Sequence, residues 1–193
     1  MILRIAQIPV GSMLNFSYIV YDEENGIGVI IDPSWDLQKV LAILDKNNIT
    51  AKYIINTHTH FDHILGNDHI AEITKAEIIQ HEKSTQKKNR SVVDHENVNI
   101  GKINLQVLYT PGHSEDSICL VVNNQIIITG DTLFVGNCGR VDLPGSNPSK
   151  MYDSLGKIAN LDNSLVVYPG HNYGSTPTST ILNEKTRNPM LNF

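Results

Sequence analysis

Short apolar runs recur along both halves of the chain, and turn residues separate them. In the first half, β-branched runs predict strands over residues 2–10, 16–22, 27–31, 53–57 and 77–80. In the second half, similar runs predict strands over residues 105–110, 118–122, 126–129 and 165–168. Asn123 and Asn124 predict a tight turn between two of these strands. The chain is therefore rich in strands on both sides of its middle.

A helical spacing of apolar residues first occurs after the third predicted strand. The stripe has i, i+3, i+4 and i+7 spacing and consists of Leu37, Val40, Leu41 and Leu44. Ser34 or Asp32 is the candidate cap of this helix. A second helix is predicted over residues 66–75.

The second half shows the same change from strands to helices. Asn147 and Pro148 predict the N-cap and first residue of a helix. Its apolar stripe consists of Met151, Leu155, Ile158 and Ala159. A final helix is predicted over residues 179–186. Residues 82–97 are polar and mixed in charge, which predicts a surface segment. We expect one domain over residues 1–193, with two sheets packed together and helices outside them.

Composition narrows the classes of function. The chain has 193 residues, with 15 Lys and Arg against 20 Asp and Glu. The resulting net charge of -5 disfavours a nucleic-acid partner, which needs a basic face. No apolar run approaches the roughly 20 residues that span a bilayer, and the first residues lack a signal-peptide pattern. We therefore expect a cytoplasmic protein without a membrane partner, and a homo-oligomer remains open.

Two cysteines are too few for a disulfide framework. Cys119 lies in an apolar run, which predicts a buried strand residue, and Cys138 lies in a glycine-rich loop.

Metal-ligand side chains are concentrated between residues 57 and 63, which read THTHFDH. In an extended segment His58 and His60 point the same way and can converge on one ion. A helical turn beginning near Phe61 would move Asp62 and His63 toward a second position. Imidazole and carboxylate together suit zinc, iron or manganese.

Three further segments each place a metal-ligand side chain after a predicted strand. They are TPGH ending at His113, TGDT containing Asp131, and YPGH ending at His171. Each alone is explained as an ordinary turn, because Pro and Gly mark turns. The three together indicate a metal site. The other histidines, His69, His81 and His95, are expected to be structural or surface residues.

The motif HxHxDH at residues 58–63 is followed in order by His113, Asp131 and His171. With these motifs the chain resembles the metallo-β-lactamase superfamily over essentially its whole length. The resemblance implies an α/β fold, the four-layer αββα sandwich. It also implies two divalent metal ions, zinc first and iron or manganese as alternatives. The first ion would be held by His58, His60 and His113. The second would be held by Asp62, His63 and His171, with Asp131 bridging the two.

Two loops, GDTLF at residues 130–134 and GNCGR at residues 136–140, resemble the glyoxalase II (hydroxyacylglutathione hydrolase) branch and also the persulfide dioxygenases. The first resemblance implies a thioester hydrolase using a metal-bridging hydroxide, with Asp62 and Asp131 as catalytic residues. The second implies one iron held by His58, His113 and Asp131. Residues 132–134 favour the hydrolase, whereas residues 140–142 favour the dioxygenase or short hydrolases. An exported antibiotic hydrolase and a nuclease are both disfavoured.

The substrate-binding residues are predicted to be Arg140 and Tyr173, which would bind the thiol carrier of a small-molecule thioester. The alternative for Arg140 is an ion pair with Asp142. Two features differ from the glyoxalase II branch. That branch has a lysine at the position of Arg140. It also carries a helical domain after the last metal ligand, whereas here 22 residues follow His171 (193 minus 171). The acids Glu115 and Asp116 are expected in a solvated loop. These departures leave the acyl group and glutathione itself open.

Overall fold

Six strands from the first half of the chain form one sheet in the computed structural model, which describes residues 3–191. In sheet order they are β1 (Leu3–Val10), β2 (Asn15–Asp22), β3 (Ile27–Ile31), β4 (Thr50–Ile55), β5 (Glu77–His81) and β6 (Arg90–Val92). The first three strands pair antiparallel, and β3 to β6 pair in parallel. Parallel pairs need crossover connections. Helix α1 (Leu37–Lys46) connects β3 to β4, and helices α2 (Phe61–Ile64) and α3 (Asn67–Thr74) connect β4 to β5. Residues 82–89 connect β5 to β6 without a helix.

The second half forms the other sheet and its helices. Its strands are β7 (Asn97–Ile100), β8 (Ile103–Tyr109), β9 (Ile118–Val122), β10 (Ile126–Gly130), β11 (Leu133–Phe134), β12 (Asn137–Cys138), β13 (Val166–Pro169) and β14 (Ser179–Thr180). The sheet order is β14-β13-β10-β9-β8-β7, and β11 pairs with β12 as a separate ribbon. The helices are α4 (Pro148–Ala159) and α5 (Ile181–Arg187), followed by a 3₁₀ turn at Pro189–Leu191.

Three apolar clusters separate the layers. Side chains alternate across a strand, so Tyr18 of β2 points into the space between the sheets while Ile19 points outward. The outer face of the first sheet is covered by Val40 of α1 and Ile70 of α3. The outer face of the second sheet packs against α4 and α5. This arrangement of helix, sheet, sheet and helix confirms the predicted αββα sandwich.

Most predicted elements occur within a few residues of their expected bounds, although the predicted start of the first strand at residue 2 lies outside the described residues. Asn123 and Asn124 both have positive φ in the turn between β9 and β10, as the hairpin predicts. The structure differs at residues 82–97, where the segment expected on the surface contributes β6 to the sheet edge. Three residues are too few to show alternation, and only Val92 of them is buried.

Of the two predicted N-caps, the one at Asn147 is confirmed and the one at Ser34 or Asp32 is wrong. The Asn147 side chain accepts a hydrogen bond from the Lys150 amide at 3.0 Å, with Pro148 as the first helical residue. Helix α1, by contrast, begins after Asp36 without a side-chain cap. Neither Ser34 nor Asp32 caps it, because the N-cap position is Asp36 and both residues lie before it in the loop. Among residues 3–191, no helix has both the length and the apolar character that crossing a membrane requires.

Candidate metal centre

The predicted ligands meet at one edge of the sandwich, where loops leave four strands. The 58–63 segment follows β4, His113 follows β8, Asp131 follows β10 and His171 follows β13. The first segment comes from one sheet and the other three ligands come from the second. The structure therefore brings together all seven residues that the sequence singled out.

The first group of donors is formed by His58, His60 and His113. The Nδ1 of His60 lies 3.1 Å from Nε2 of His58 and 2.9 Å from Nε2 of His113. His60 is extended and directly precedes α2, so it points to the same side as His58, as predicted. His113 donates from Nδ1 to the Arg140 carbonyl at 2.9 Å, which directs the lone pair of Nε2 into the group.

The second group is formed by Asp62, His63 and His171. The Nε2 atoms of the two histidines are 3.3 Å apart, and each lies 3.5 Å from Oδ2 of Asp62. The one-turn helix α2 carries Asp62 and His63 away from the first group. His171 donates from Nδ1 to the Met13 carbonyl at 2.9 Å, so its Nε2 is also free to act as a ligand.

Asp131 lies between the two groups. Its Oδ1 is 3.4 Å from Nε2 of His63, and its Oδ2 is 3.4 Å from His113 and 3.3 Å from His171. Burial raises the pKa of Asp131, but the surrounding imidazoles outweigh this and hold it well below its usual range. The carboxylate is therefore ionised. A Cβ at Gly170 would lie 2.2 Å from Oδ1, which explains the glycine before His171.

The donor set fits divalent cations. Ring nitrogen atoms of three imidazoles lie within hydrogen-bond distance of one another in the first group, and Oδ1 of Asp131 is buried without a hydrogen-bond partner. A buried acceptor without a partner is costly, and a cation supplies that partner. Burial and the neighbouring imidazoles, His63 foremost, lower the pKa of His58 well below its ordinary value, so it is in the neutral form that binds metal.

Asp32 supports the site and was missed by the sequence analysis, which considered it as a helix cap. Its buried carboxylate accepts hydrogen bonds from the Thr57 amide at 2.8 Å and the Thr57 hydroxyl at 2.6 Å. It also accepts from Nδ1 of His63 at 3.0 Å, which leaves Nε2 for the second group. An acid directly after a buried strand, at the edge where Thr57 emerges, is the signal that could have found it.

Asp116 was expected to be solvated and is instead buried. Its carboxylate accepts hydrogen bonds from the Ser114 hydroxyl, at 2.7 Å, and from the Thr59 hydroxyl. Thr59 lies between two ligands of the first group, and Ser114 follows the third. Asp116 thus ties together the two loops that carry this group, whereas Glu115 is exposed as expected.

A cavity of about 730 Å³ opens beside the ligands. Arg140 and Tyr173 both line it, and both are already bonded within the chain. The Arg140 guanidinium forms a two-point ion pair with Asp142, at 2.7 and 2.8 Å, which is the alternative that the sequence left open. The Tyr173 ring stacks on His171 with centroids 4.6 Å apart, and its hydroxyl donates to the Met13 carbonyl at 3.0 Å.

A four-layer αββα fold with two groups of metal-ligand side chains at one edge, and a carboxylate between them, is typical of a metal-dependent, hydrolase-like enzyme. The sequence profile of the metallo-β-lactamase superfamily matches residues 12–171. The chain therefore belongs to the metallo-β-lactamase superfamily.

Curated relatives divide between activities. The probable polyketide biosynthesis zinc-dependent hydrolase PksB of Bacillus subtilis is 32% identical over 86% of this chain and 77% of its own length. The hydroxyacylglutathione hydrolase of Pelagibacter ubique is 34% identical over 82% of this chain and 67% of its own length. The crystal structure of ETHE1 from Myxococcus xanthus superposes with a TM-score of 0.90 and 32% identity, covering 98% of this chain and 84% of that one. A curated protein with that name is the mitochondrial persulfide dioxygenase ETHE1 of Bos taurus, 28% identical to this chain.

Proposed function

We propose that this protein is a glyoxalase II-like thioester hydrolase that binds two divalent metal ions, with zinc as the first candidate. The observation that carries the proposal is the position of Asp131, whose two oxygens face both donor groups. A carboxylate can serve two ions because it has two oxygens, whereas a histidine nitrogen serves one. The similarity to hydroxyacylglutathione hydrolases supports the same activity.

His58, His60 and His113 would hold one ion, Asp62, His63 and His171 the other, and Asp131 would bridge them. When bound, the ions supply an acidified water at neutral pH and polarise the acyl carbonyl. Asn15 donates to the Asp62 carboxylate at 2.9 Å and to its carbonyl at 3.1 Å, which fixes the carboxylate at the cavity wall. Asp62 can then orient the attacking water. A leaving thiolate, with a pKa near ~8.5, departs without a dedicated acid.

The second candidate is a persulfide dioxygenase with one iron, which the similarity to ETHE1 favours. In that case His58, His113 and Asp131 would hold the iron, as two imidazoles and one carboxylate that leave positions open for oxygen and substrate. The remaining four ligand-type side chains would then bind no metal.

Metal analysis separates the two candidates when it is combined with assays of thioester hydrolysis and oxygen uptake. The hydrolase predicts about two metals per chain, and His171→Ala is expected to lose mainly the second metal together with most of the thioesterase activity. One iron per active chain, oxygen uptake with a persulfide, and activity that survives His171→Ala would overturn the hydrolase.

A further inference from the structure

Part of the cavity wall is formed by side chains that are not metal ligands, and these side chains would contact a bound substrate. On the basis of the thioester hydrolase proposed above, we infer that the cavity accepts an apolar acyl thioester on an uncharged thiol arm. Asp142 is the residue that makes anionic carriers poor substrates, because it neutralises the cation on the cavity wall.

The ligand-free wall is mainly apolar. It is lined by Met13, Phe61, Phe134, Leu143 and Pro144. Phe61 is 60% exposed and Met13 38% exposed, although both are large apolar side chains. The Phe61 ring packs edge-on against Trp35, with ring centroids 6.3 Å apart. Large apolar side chains exposed around a concave site are typical of a surface that binds an apolar ligand.

The wall offers no unpaired positive charge. Arg140 is the only Lys or Arg among the residues described as lining the cavity. Both of its bonds to Asp142 are short, and they occupy one two-donor edge of the guanidinium, formed by Nε and one Nη nitrogen. The pair has no net charge, so a peptide-like carrier with two carboxylates gains little from Arg140. The Tyr173 hydroxyl is also engaged, because it donates to the Met13 carbonyl.

These contacts change the role expected for Arg140. A free guanidinium would attract the carboxylates of glutathione, whereas the pair with Asp142 presents a neutral surface beside an apolar wall. Asp142 contacts none of the seven ligand residues in the bonds described here, so its substitution changes the charge of the wall without altering the donor set. It is therefore a specificity-determining residue.

The test compares the metal-loaded enzyme on three thioesters: S-acetyl- and S-butanoyl-N-acetylcysteamine, which are uncharged, and S-lactoylglutathione. Wild-type kcat/KM is expected to rise by up to about fourfold for each added methylene, and to be at least tenfold higher for the butanoyl compound than for the glutathione thioester. Asp142→Asn is expected to lower KM for the glutathione thioester about two- to fivefold, the range of an exposed ion pair. KM for the uncharged substrates should remain within twofold.

Asp153→Asn is the matched control, because Asp153 is an exposed acid on α4 and its replacement removes the same charge. Leu143→Ala tests the apolar wall and is expected to remove the advantage of butanoyl over acetyl. Wild-type preference for S-lactoylglutathione, or the same KM change in the Asp142 and Asp153 variants, would overturn the inference.

Binding of uncleavable thioethers separates this inference from the proposed function. Calorimetry with S-butyl-N-acetylcysteamine and S-butylglutathione measures selectivity without turnover. In one outcome no thioester is hydrolysed, wild type binds the uncharged thioether more tightly than S-butylglutathione, and Asp142→Asn reduces this difference in affinity. The proposed function is then wrong, and the inferred specificity of the cavity is correct. If thioesters are hydrolysed and the two thioethers bind equally, only the inference about the cavity is wrong.

Discussion

Asp32→Asn tests whether a residue that touches no metal controls the second donor group. In the native chain, Oδ1 accepts from the Thr57 amide, while Oδ2 accepts from the Thr57 hydroxyl and from Nδ1 of His63. An asparagine that keeps the bond to the Thr57 amide places its NH₂ where Oδ2 was. His63 must then accept at Nδ1, and its proton moves to Nε2, the atom that faces Asp62 and His171.

The magnitude follows from the cost of restoring the metal-binding tautomer. When the proton returns from Nε2 to Nδ1 of His63, the Nδ1–H group faces the NH₂ group of the new asparagine. Two buried donors then face each other, which costs about 1–3 kcal/mol. That cost corresponds to about 5- to 150-fold weaker binding of the second metal, a range that includes the usual effect of about 10- to 100-fold for losing a partner behind a metal ligand. Binding of the first metal, and a folded circular dichroism spectrum, should be retained.

Competition with a chromophoric zinc chelator measures both affinities of the Asp32→Asn variant. Asp36→Asn is the control, because Asp36 is an exposed acid in the same loop and pairs with Lys39 on the surface at 2.9 Å. Two zinc ions bound by Asp32→Asn with wild-type affinity would refute the proposed link between Asp32 and the second group. Equal weakening of both ions would point instead to a general loss of structure.

Three further predictions concern other residues of the site and core. Asp131→Asn should lower kcat by at least ~10²-fold with the fold retained, because it removes a charge between the two donor groups. Asp153→Asn, assayed at saturating metal, is the control. Near wild-type activity of Asp131→Asn would mean that Asp131 does not bridge the two groups. Asp116→Ala should weaken the first metal by about 10- to 100-fold in the chelator assay, with partial rescue in Asp116→Asn, and a wild-type affinity would contradict the link between the ligand loops. Burial raises the pKa of the Cys119 thiol to about 11, so at pH 8 it should react with a disulfide reagent only after unfolding, and rapid reaction in the native protein would contradict its burial.

The layered fold was predictable because its signals are local. β-branched runs predict strands wherever a sheet buries one or both faces, and the stripe of Met151, Leu155 and Ile158 shows which side of α4 faces the sheet. The ligand residues were also predictable from the sequence, because each histidine or aspartate follows a predicted strand within a short motif. Pairing between distant segments, such as β6 at the sheet edge, depends on a few backbone hydrogen bonds that leave little trace in composition.

Contacts that hold the ligands in place were not predictable. Asp32 and His63 are 31 residues apart, and Asp116 and Thr59 are 57 apart, so no periodic pattern relates them. Both acids have ordinary local explanations, as a cap and as a solvated loop residue. The Asp32 contacts form between the loops that follow the neighbouring strands β3 and β4, whereas the contact of Asp116 with Thr59 forms only when the two sheets pack together. The same limit applies to Arg140, whose ion pair with Asp142, two residues away, was one of two alternatives that the sequence left open.

The division of the ligands between the two sheets has a consequence for stability. Each donor group combines two residues from the 58–63 segment with one histidine from the second half, and Asp131 also comes from the second half. Neither half of the chain alone therefore presents a complete group. A metal that binds only the assembled site stabilises the packing of one sheet on the other in proportion to the logarithm of its concentration over its Kd. Because both cysteines are free and a continuous apolar cluster lies between the sheets, this contribution adds to a fold that already has a core without a disulfide.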